Sequence, residues 1–414
     1  MSTSIMPTLF SIPIEFILFA AVLAGVALLH NHTLRVAIVG AVVIALYKII
    51  FSPFLFDGGV NMAGLAGFGA HMAHEWVILA NLFLLLLGFA LLSDHFEKSG
   101  VPQWVPNILP NDWKGGFVLL WLIAILSAFL DNIAAALIGG TVAAAVFNRR
   151  VHIGYIAAIV AASNAGGAGS VVGDTTTTMM WIAGVRPTEV LEAAVGACVA
   201  ISIFGYFAAR QQHAYQPIQK NAARGLQIDG MRLAVVGFIL LTAVLMNVII
   251  NSRFKSVADA FPFLGAAVWG AVLLSAVVRK PNWNLLPDAA KGSTFLLCLV
   301  LCASMMPVQH LPAASWQTAF GLGFLSAVFD NIPLTALALK QGGFDWGFLA
   351  YAVGFGGSMI WFGSSAGVAI ANMFPEARSV SAWLRAGWHI VVAYVAGYAA
   401  MLVVVGWNVG SVLK

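Results

Sequence analysis

Three aspartates, Asp131, Asp174 and Asp330, stand in the middle of long apolar stretches of this sequence. Amides (Asn132, Asn164, Asn331) and hydroxyls (Ser163, Ser170, Thr175 to Thr178, Ser364, Ser365) accompany them. Charged and amide side chains are costly in hydrocarbon unless they face protein or a watery cavity, so residues of this kind mark a functional site. Carboxylate, amide and hydroxyl oxygens are hard ligands that suit a small cation. A carboxylate in a dry site or beside a like charge can instead carry a proton. The same stretches contain no Lys or Arg to pair with an anion, and Lys340 is the nearest. The residues predicted to hold a cation or proton are Asp131, Asn132, Asn164, Asp174, Thr175, Asp330, Asn331, Ser364 and Ser365. Capping is the alternative role for the aspartates, since Asp is a favoured N-cap.

The sequence around these residues occurs twice. Ser127-Ala-Phe-Leu-Asp131-Asn132-Ile133 matches Ser326-Ala-Val-Phe-Asp330-Asn331-Ile332. Gly166-Gly167 followed by Gly173-Asp174-Thr175 matches Gly356-Gly357 followed by Gly363-Ser364-Ser365. Two matches in the same order, each interrupting an apolar run, are the pattern of transporters built from internal repeats. The run Phe117–Phe147 is long for one membrane crossing and short for two, which predicts a re-entrant hairpin with Asp131-Asn132 at its tip. Asp330-Asn331 takes the second tip. The glycines and threonines of 164–178 predict a broken helix, as do the glycines and serines of 356–368. Freed backbone groups at such breaks are tolerated only where they line a cavity.

Elements of this kind require a bilayer. The chain has 414 residues, of which 61% are hydrophobic and 9% charged. Its mean hydropathy is +0.93. A soluble domain carries about 25% charged residues. Apolar runs at Ile12–Leu29, Val36–Phe51, Trp76–Leu92, His152–Val185 and Val190–Ala209 are read as spans of the first half. Leu233–Ile250, Ala258–Val278, Phe295–His310, Trp346–Met373 and Trp383–Trp407 follow in the second, with its hairpin at Trp316–Leu339. An odd number of crossings in each half inverts one half relative to the other. The predicted fold is therefore an all-α polytopic membrane protein of two inverted repeats, each with a re-entrant hairpin and a broken transmembrane helix. The repeats cover 1–209 and 233–414, joined by a cytoplasmic linker over 210–232. With the base of the first hairpin (Arg149, Arg150) in the cytoplasm, most of the 20 Lys and Arg fall on that side, as the positive-inside rule requires. Lys48, Arg186, Arg253, Lys255, Lys340 and Lys414 are left for the other.

Other motifs are weaker. His71, His74 and Glu75 could bind a metal on one helix turn, but no third ligand converges in the sequence, and interfacial histidines are the plainer reading. The glycines at 64, 67 and 69 read as a loop without the context of a phosphate cradle. Cys198, Cys298 and Cys302 read as buried small hydrophobes. No basic run suggests nucleic acid, and no nucleophile–base arrangement suggests an enzyme. The first ten residues lack the basic region of a signal peptide, so the first apolar run reads as a retained span.

The strings Leu130-Asp131-Asn132, Ala162-Ser-Asn164-Ala-Gly166-Gly167-Ala and Gly173-Asp174-Thr-Thr-Thr-Thr-Met-Met-Trp181-Ile carry a resemblance. In the second half it is carried by Asp330-Asn331-Ile-Pro333-Leu, Leu349-Ala-Tyr351, Gly356-Gly357-Ser358 and Gly363-Ser364-Ser365-Ala366-Gly367-Val368. Over roughly Glu75 to the C-terminus the chain resembles the NhaD-type sodium/proton antiporters, members of the ion transporter superfamily that also holds citrate and dicarboxylate carriers. The resemblance implies exchange of sodium or lithium for protons without a bound cofactor, an elevator-like core and frequently a homodimer. It also implies that the Asp, Asn and Thr positions quoted lie at the cation site, with sodium tied to Asp131, Asp174 and Asp330. One departure is Ala134-Ala135-Ala136, where the family tends to have threonines. The alternative on the same fold is a cation-coupled carboxylate or other anion transporter. A membrane-embedded receptor or structural subunit is a third reading. The expected setting is a bacterial inner (plasma) membrane.

Overall fold

In water-free surroundings every backbone N–H and C=O must be satisfied within the chain, which favours helices. The computed structural model accordingly describes a helical protein, over residues 8–9, 12–29, 32–55, 61–219, 227–254 and 260–410. Lys255, Lys414 and the middle of the expected linker (220–226) lie outside the described residues. Two short antiparallel strand pairs, Thr8–Leu9 with Ile12–Pro13 and Phe54–Leu55 with Asn61–Met62, flank the first helices.

Those helices are α1 (Ile14–Leu28), α2 (Thr33–Phe51) and α3 (Gly64–Glu97). The stretch after them carries α4 (Val101–Trp104), α5 (Trp113–Ser127) and α6 (Asn132–Val146). Then come α7 (Ile153–Ala168), α8 (Thr175–Ile182), α9 (Pro187–Leu191) and α10 (Ala193–Tyr215). The second series is α11 (Gly230–Arg253), α12 (Phe263–Ser275), α13 (Leu286–Ser304), α14 (Trp316–Ser326) and α15 (Asn331–Gln341). It closes with α16 (Trp346–Gly356), α17 (Ser365–Met373), α18 (Val380–Ala386) and α19 (Trp388–Val404).

Among the described residues, the helical stretches Thr33–Phe51, Gly64–Glu97, Pro187–Tyr215 and Trp283–Ser304 are long and apolar enough to cross a bilayer. Many of the remaining apolar helices are shorter because the chain breaks them. The breaks at 128–131, 169–174, 327–330 and 357–364 fall at the four repeated polar segments. The protein is thus a polytopic, helical membrane protein.

The helices sort into two layers. One hydrophobic core is shared by α5, α6, α7, α10, α14, α16 and α19, with Tyr155, Phe204, Phe348, Tyr351 and Tyr394 fully buried in it. Around it, α13 packs on α15 with α2 and α1 behind it, while α3 packs on α6 and α8 with α11 and α12 behind it. Contacts inside the core recur at corresponding places. Ser127 Oγ donates to the Ser163 carbonyl at 2.6 Å, and Ser326 Oγ donates to the Val353 carbonyl at 2.6 Å. A Cβ on Gly166 would strike the Ala124 carbonyl, and one on Gly356 would strike that of Gly323. Both glycines are fixed by the close approach of a neighbouring helix, not by a need for flexibility.

Several expected boundaries move. The stretch 64–75 expected as loop and interface is helical, because Gly67 packs directly on the Phe54–Met62 strand pair, where a Cβ would collide. The span expected at Phe295–His310 begins at Leu286, with Pro287 and Asp288 in its first turn, where both are favoured, and ends at Ser304. The span expected at Ala258–Val278 shrinks to Phe263–Ser275 behind Pro262. That expected at Trp383–Trp407 is bent by 60° between α18 and α19. Cys302 is buried as expected, whereas Cys198 is exposed on the apolar flank of α10.

Lys48, expected near the end of the Val36–Phe51 span, is buried there. It is 1% exposed at the end of α2, 3.8 Å from Glu15 Oε1. Its ammonium donates to the Pro53 carbonyl at 2.5 Å, while Ser52 Oγ donates to Glu15 Oε1 at 2.5 Å. His71 is buried within the protein, its Nε2 lying 3.0 Å from Ser304 Oγ, and His74 of that motif is exposed.

Candidate cation site

Four helix ends meet at the centre of the core. Each helix that resumes after a break needs acceptors for its first N–H groups, and short polar side chains supply them. Asp174 caps α8, accepting from Thr176 N at 3.4 Å. Asp330 caps α15, accepting from Ile332 N at 3.1 Å, and Ser364 caps α17, accepting from Gly367 N at 3.2 Å. Asp131 holds the same position before α6, facing the amides of Asn132, Ile133 and Ala134, but its side chain makes no capping hydrogen bond. Capping therefore accounts for part of the role of Asp174 and Asp330, while Asp131 faces the first amides of α6 without a capping hydrogen bond.

The side chains next to these caps form one connected network. Asn132 Nδ2 donates to Asn164 Oδ1 at 3.1 Å and to Asp174 Oδ1 at 3.2 Å. From the start of α15, Asn331 Nδ2 donates to Asp174 Oδ2 at 3.3 Å. Thr176 Oγ1 donates to the same oxygen at 2.8 Å. Asn164 Nδ2 in turn donates to Ser358 Oγ and Ser364 Oγ, both at 3.0 Å. Asp174 is 2% exposed and Asn164 fully buried. A single carboxylate thus receives an amide from the start of α6 and one from the start of α15, and a single amide reaches into the break between α16 and α17.

Asp131, Asp174, Thr175 and Thr178 line a narrow cavity of about 10 Å³, whose opposite wall is Leu82, Leu85, Leu86 and Phe89 of α3. That volume is on the scale of one water molecule. No Lys or Arg lines it. Asp330 stands apart, accepting from Ser365 Oγ at 3.2 Å. Among the described residues no three His, Cys, Asp or Glu side chains are grouped to hold a metal, so the three aspartates do not form one cluster. The structure brings Asn132, Asn164, Asp174, Asn331 and Ser364 together directly, places Asp131 and Thr175 on the adjoining cavity, and pairs Asp330 with Ser365 beside them.

The neighbouring hydroxyls divide by role. Ser170, Thr177 and Thr178 donate to the carbonyls of Ala128, Ser170 and Val171, satisfying backbone freed at the breaks. Thr176 turns instead to the Asp174 carboxylate. In α15 Thr335 keeps a buried hydroxyl, donated to the Asn331 carbonyl at 3.0 Å, where α6 has Ala136 at the matching place.

Two participants were not among the residues expected from sequence. Ser358 binds Asn164, and its carbonyl accepts from Trp383 Nε1 at 3.2 Å. A lone serine directly after the repeated Gly356-Gly357 was the available signal. Gly354 leaves the space that the Asp174 carboxylate occupies, since a Cβ there would lie 3.3 Å from Oδ2. Gly354 aligns with Asn164 in the repeat, and that exchange of Asn for Gly is visible only once the halves are superposed on their motifs.

A buried carboxylate–amide–hydroxyl centre inside a polytopic helical bundle defines the class: a membrane transporter. The chain belongs to the citrate transporter family, whose model matches residues 36–356. Its curated relatives carry narrower names. Sodium/proton antiporter 1 of Arabidopsis thaliana is 25% identical over 80% of this chain, which spans 63% of that relative's length. Sodium/proton antiporter 2 of the same plant is 25% identical over 66% of the chain and 74% of its own length. The Na(+)/H(+) antiporter NhaD of Vibrio parahaemolyticus is 26% identical over 80% of this chain and 91% of its own. These names agree with the NhaD-type resemblance drawn from the motifs.

Proposed function

We propose that the protein is a secondary active transporter that exchanges sodium or lithium for protons. The observation that carries this reading is the Asp174 carboxylate, buried and bound by the Asn132 and Asn331 amides, beside a cavity that it shares with Asp131. Anionic and neutral oxygens with no basic partner favour a small cation or a proton. A space of about 10 Å³ fits a stripped ion or a proton, and not a tricarboxylate. In this reading Asp131 and Asp174 bind either the cation or protons. Asn132, Asn164, Thr175, Asn331 and Ser364 supply or orient neutral ligands, and Asp330 with Ser365 completes the second half-site.

The matched contacts of the two halves support an inverted-repeat architecture over 1–209 and 233–414, with hairpin tips at 131–132 and 330–331. The two layers support an elevator-like motion, the core sliding against α1–α3 and α11–α13 as a homodimer. Apolar side chains of α3 form one wall of the cavity, so a shift of the core past that wall would open the site to the other side. The bacterial relative, spanned almost in full, supports a bacterial plasma membrane as the setting.

The family description favours a second reading, a carboxylate carrier. Both are tested by purified protein in liposomes holding an internal pH dye under an acid-inside gradient. Alkalinisation on adding sodium or lithium, unchanged when valinomycin and potassium clamp the potential, is the expected result. Silence with every cation, together with labelled citrate uptake by the same vesicles, would overturn it in favour of the carboxylate carrier.

A further inference from the structure

A second cleft, of about 680 Å³, opens on the face that the Lys/Arg distribution assigns to the cytoplasm. Arg149 and Arg150 enter it from the turn after α6, His152 from the start of α7, Gln211 from α10, and Glu376 and Arg385 from either side of the start of α18. Its floor is built from directed bonds. Gln211 Nε2 donates to the Ala386 carbonyl at 3.2 Å, and Gln211 Oε1 lies 3.3 Å from Nε2 of the buried His389. Gln212 accepts from His152 N at 2.7 Å and donates to the Arg150 carbonyl at 3.0 Å. Asn148 and Arg149 adopt left-handed backbone (φ 53° and 57°), a conformation that side-chain-bearing residues hold only when their surroundings impose it. The Arg150 guanidinium lies over the Tyr215 ring, 5.5 Å from its centroid.

Charge is the informative feature. Arg186, Arg232 and Arg279 of this chain pair with carboxylates, whereas Arg149, Arg150 and Arg385 have no ion-pair partner among the described residues. Glu376 is the single carboxylate lining the cleft. The positive-inside rule accounts for arginines on this face. It does not account for a pair of them on one turn and a third on a distant helix converging on one concave space. Guanidinium forks match phosphate oxygens bidentately, and basic clefts between helices at the cytoplasmic face suit phospholipid headgroups.

We propose that this cleft binds a phosphate-bearing anion, either a phospholipid headgroup or a soluble phosphate, held between Arg149–Arg150 and Arg385. The proposal is independent of which ion the central site exchanges, because it draws on no residue of that site. The test uses the purified full-length chain, its thermal unfolding followed during titration with short-chain phosphatidylglycerol, short-chain phosphatidylcholine or inorganic phosphate. Saturable protection by phosphatidylglycerol alone identifies the lipid, and protection by inorganic phosphate as well identifies the soluble anion. Arg385→Gln should weaken that binding about fivefold, the worth of one basic side chain at an anionic surface. Glu376→Gln should tighten it by a similar factor, which keeps the test open where an arginine variant folds poorly. Arg210→Gln, an equal charge change outside the cleft where the guanidinium stacks on Trp113 and Tyr206, should leave it unchanged. Equal protection by phosphatidylcholine, no protection by any probe, or equal weakening by R210Q and R385Q would overturn the proposal.

Discussion

Replacing Asp174 by Asn removes one charge while keeping nearly the same shape, and its consequences can be worked out bond by bond. Two fixed N–H donors face Oδ1, those of Asn132 at 3.2 Å and Thr176 N at 3.4 Å. Oδ2 faces the Thr176 hydroxyl at 2.8 Å and Asn331 Nδ2 at 3.3 Å. The new amide will turn its nitrogen toward the second pair, because a hydroxyl can rotate to accept and a backbone N–H cannot. One donor, that of Asn331, then meets another donor, which costs about 1–3 kcal/mol for a buried group left unpaired. Binding should lose more. A unit charge about 3 Å from a cation at an effective dielectric near 20 contributes about 5 kcal/mol. Half of that, allowing for desolvation of the carboxylate, still amounts to about a hundredfold in affinity. The variant should therefore fold, unfold at lower temperature, and show no exchange in the liposome assay at cation concentrations that saturate the wild type. Adding Asn331→Ala should return part of the lost stability by removing the unmatched donor. Exchange by Asp174→Asn with a cation affinity within threefold of wild type would refute the reasoning.

Three further outcomes follow from other parts of the molecule. Lys48→Met should destabilise by about 3–5 kcal/mol because it strands the Glu15 charge, while Glu15→Leu with Lys48→Met should recover most of the loss; thermal unfolding of the single and double variants checks both. Gly166→Ala and Gly356→Ala should each abolish expression of folded protein, since each Cβ meets a backbone carbonyl, whereas Gly292→Ala, with open space around it, should be neutral or gain about 0.4–1 kcal/mol. Asp229, which caps α11 and accepts from Arg279, has its carboxyl pKa held below the usual range chiefly by that hydrogen bond. A group depressed in this way contributes stability above the unfolded carboxylate pKa near 4 and loses it as pH falls through the folded value. The gap in unfolding temperature between Asp229→Asn and wild type should be present at pH 7 and shrink below pH 4, and a gap that persisted unchanged at low pH would contradict this.

What could be read from the sequence was local. Asp131-Asn132 and Asp330-Asn331 announce helix breaks because a carboxylate and an amide have no place in an uninterrupted apolar helix, and all four breaks lie at the motifs. Position across the fold was harder to read. Nothing near Lys48 in sequence reveals Glu15 on the neighbouring helix, so the lysine reads only as a charge at the end of its span. The glycines before Trp76 read as a loop because their close packing against Phe54 and Met62 is tertiary. At the site itself, residue types pointed to oxygen ligands, but their grouping depends on which oxygen each amide faces. The sequence treats the three aspartates alike, and the structure separates Asp330 from the pair at the cavity. Ser358 joined the centre only through Asn164, a residue almost two hundred positions away.

The unlike half-sites set a limit on how such a centre can be assembled. Where the first half places Asn164 and Asp174, the second places Gly354 and Ser364; the Asp174 carboxylate fills the room left by Gly354, and Asn164 bonds the Ser364 hydroxyl. Two copies of the first half, brought together in the same way, would force a second asparagine into the space that the Asp174 carboxylate fills beside Gly354. Two copies of the second would have no charge at either position. Only a heterologous pair closes the centre, so joining both halves in one polypeptide fixes their ratio at one to one and excludes the mismatched pairings that separately made halves would form.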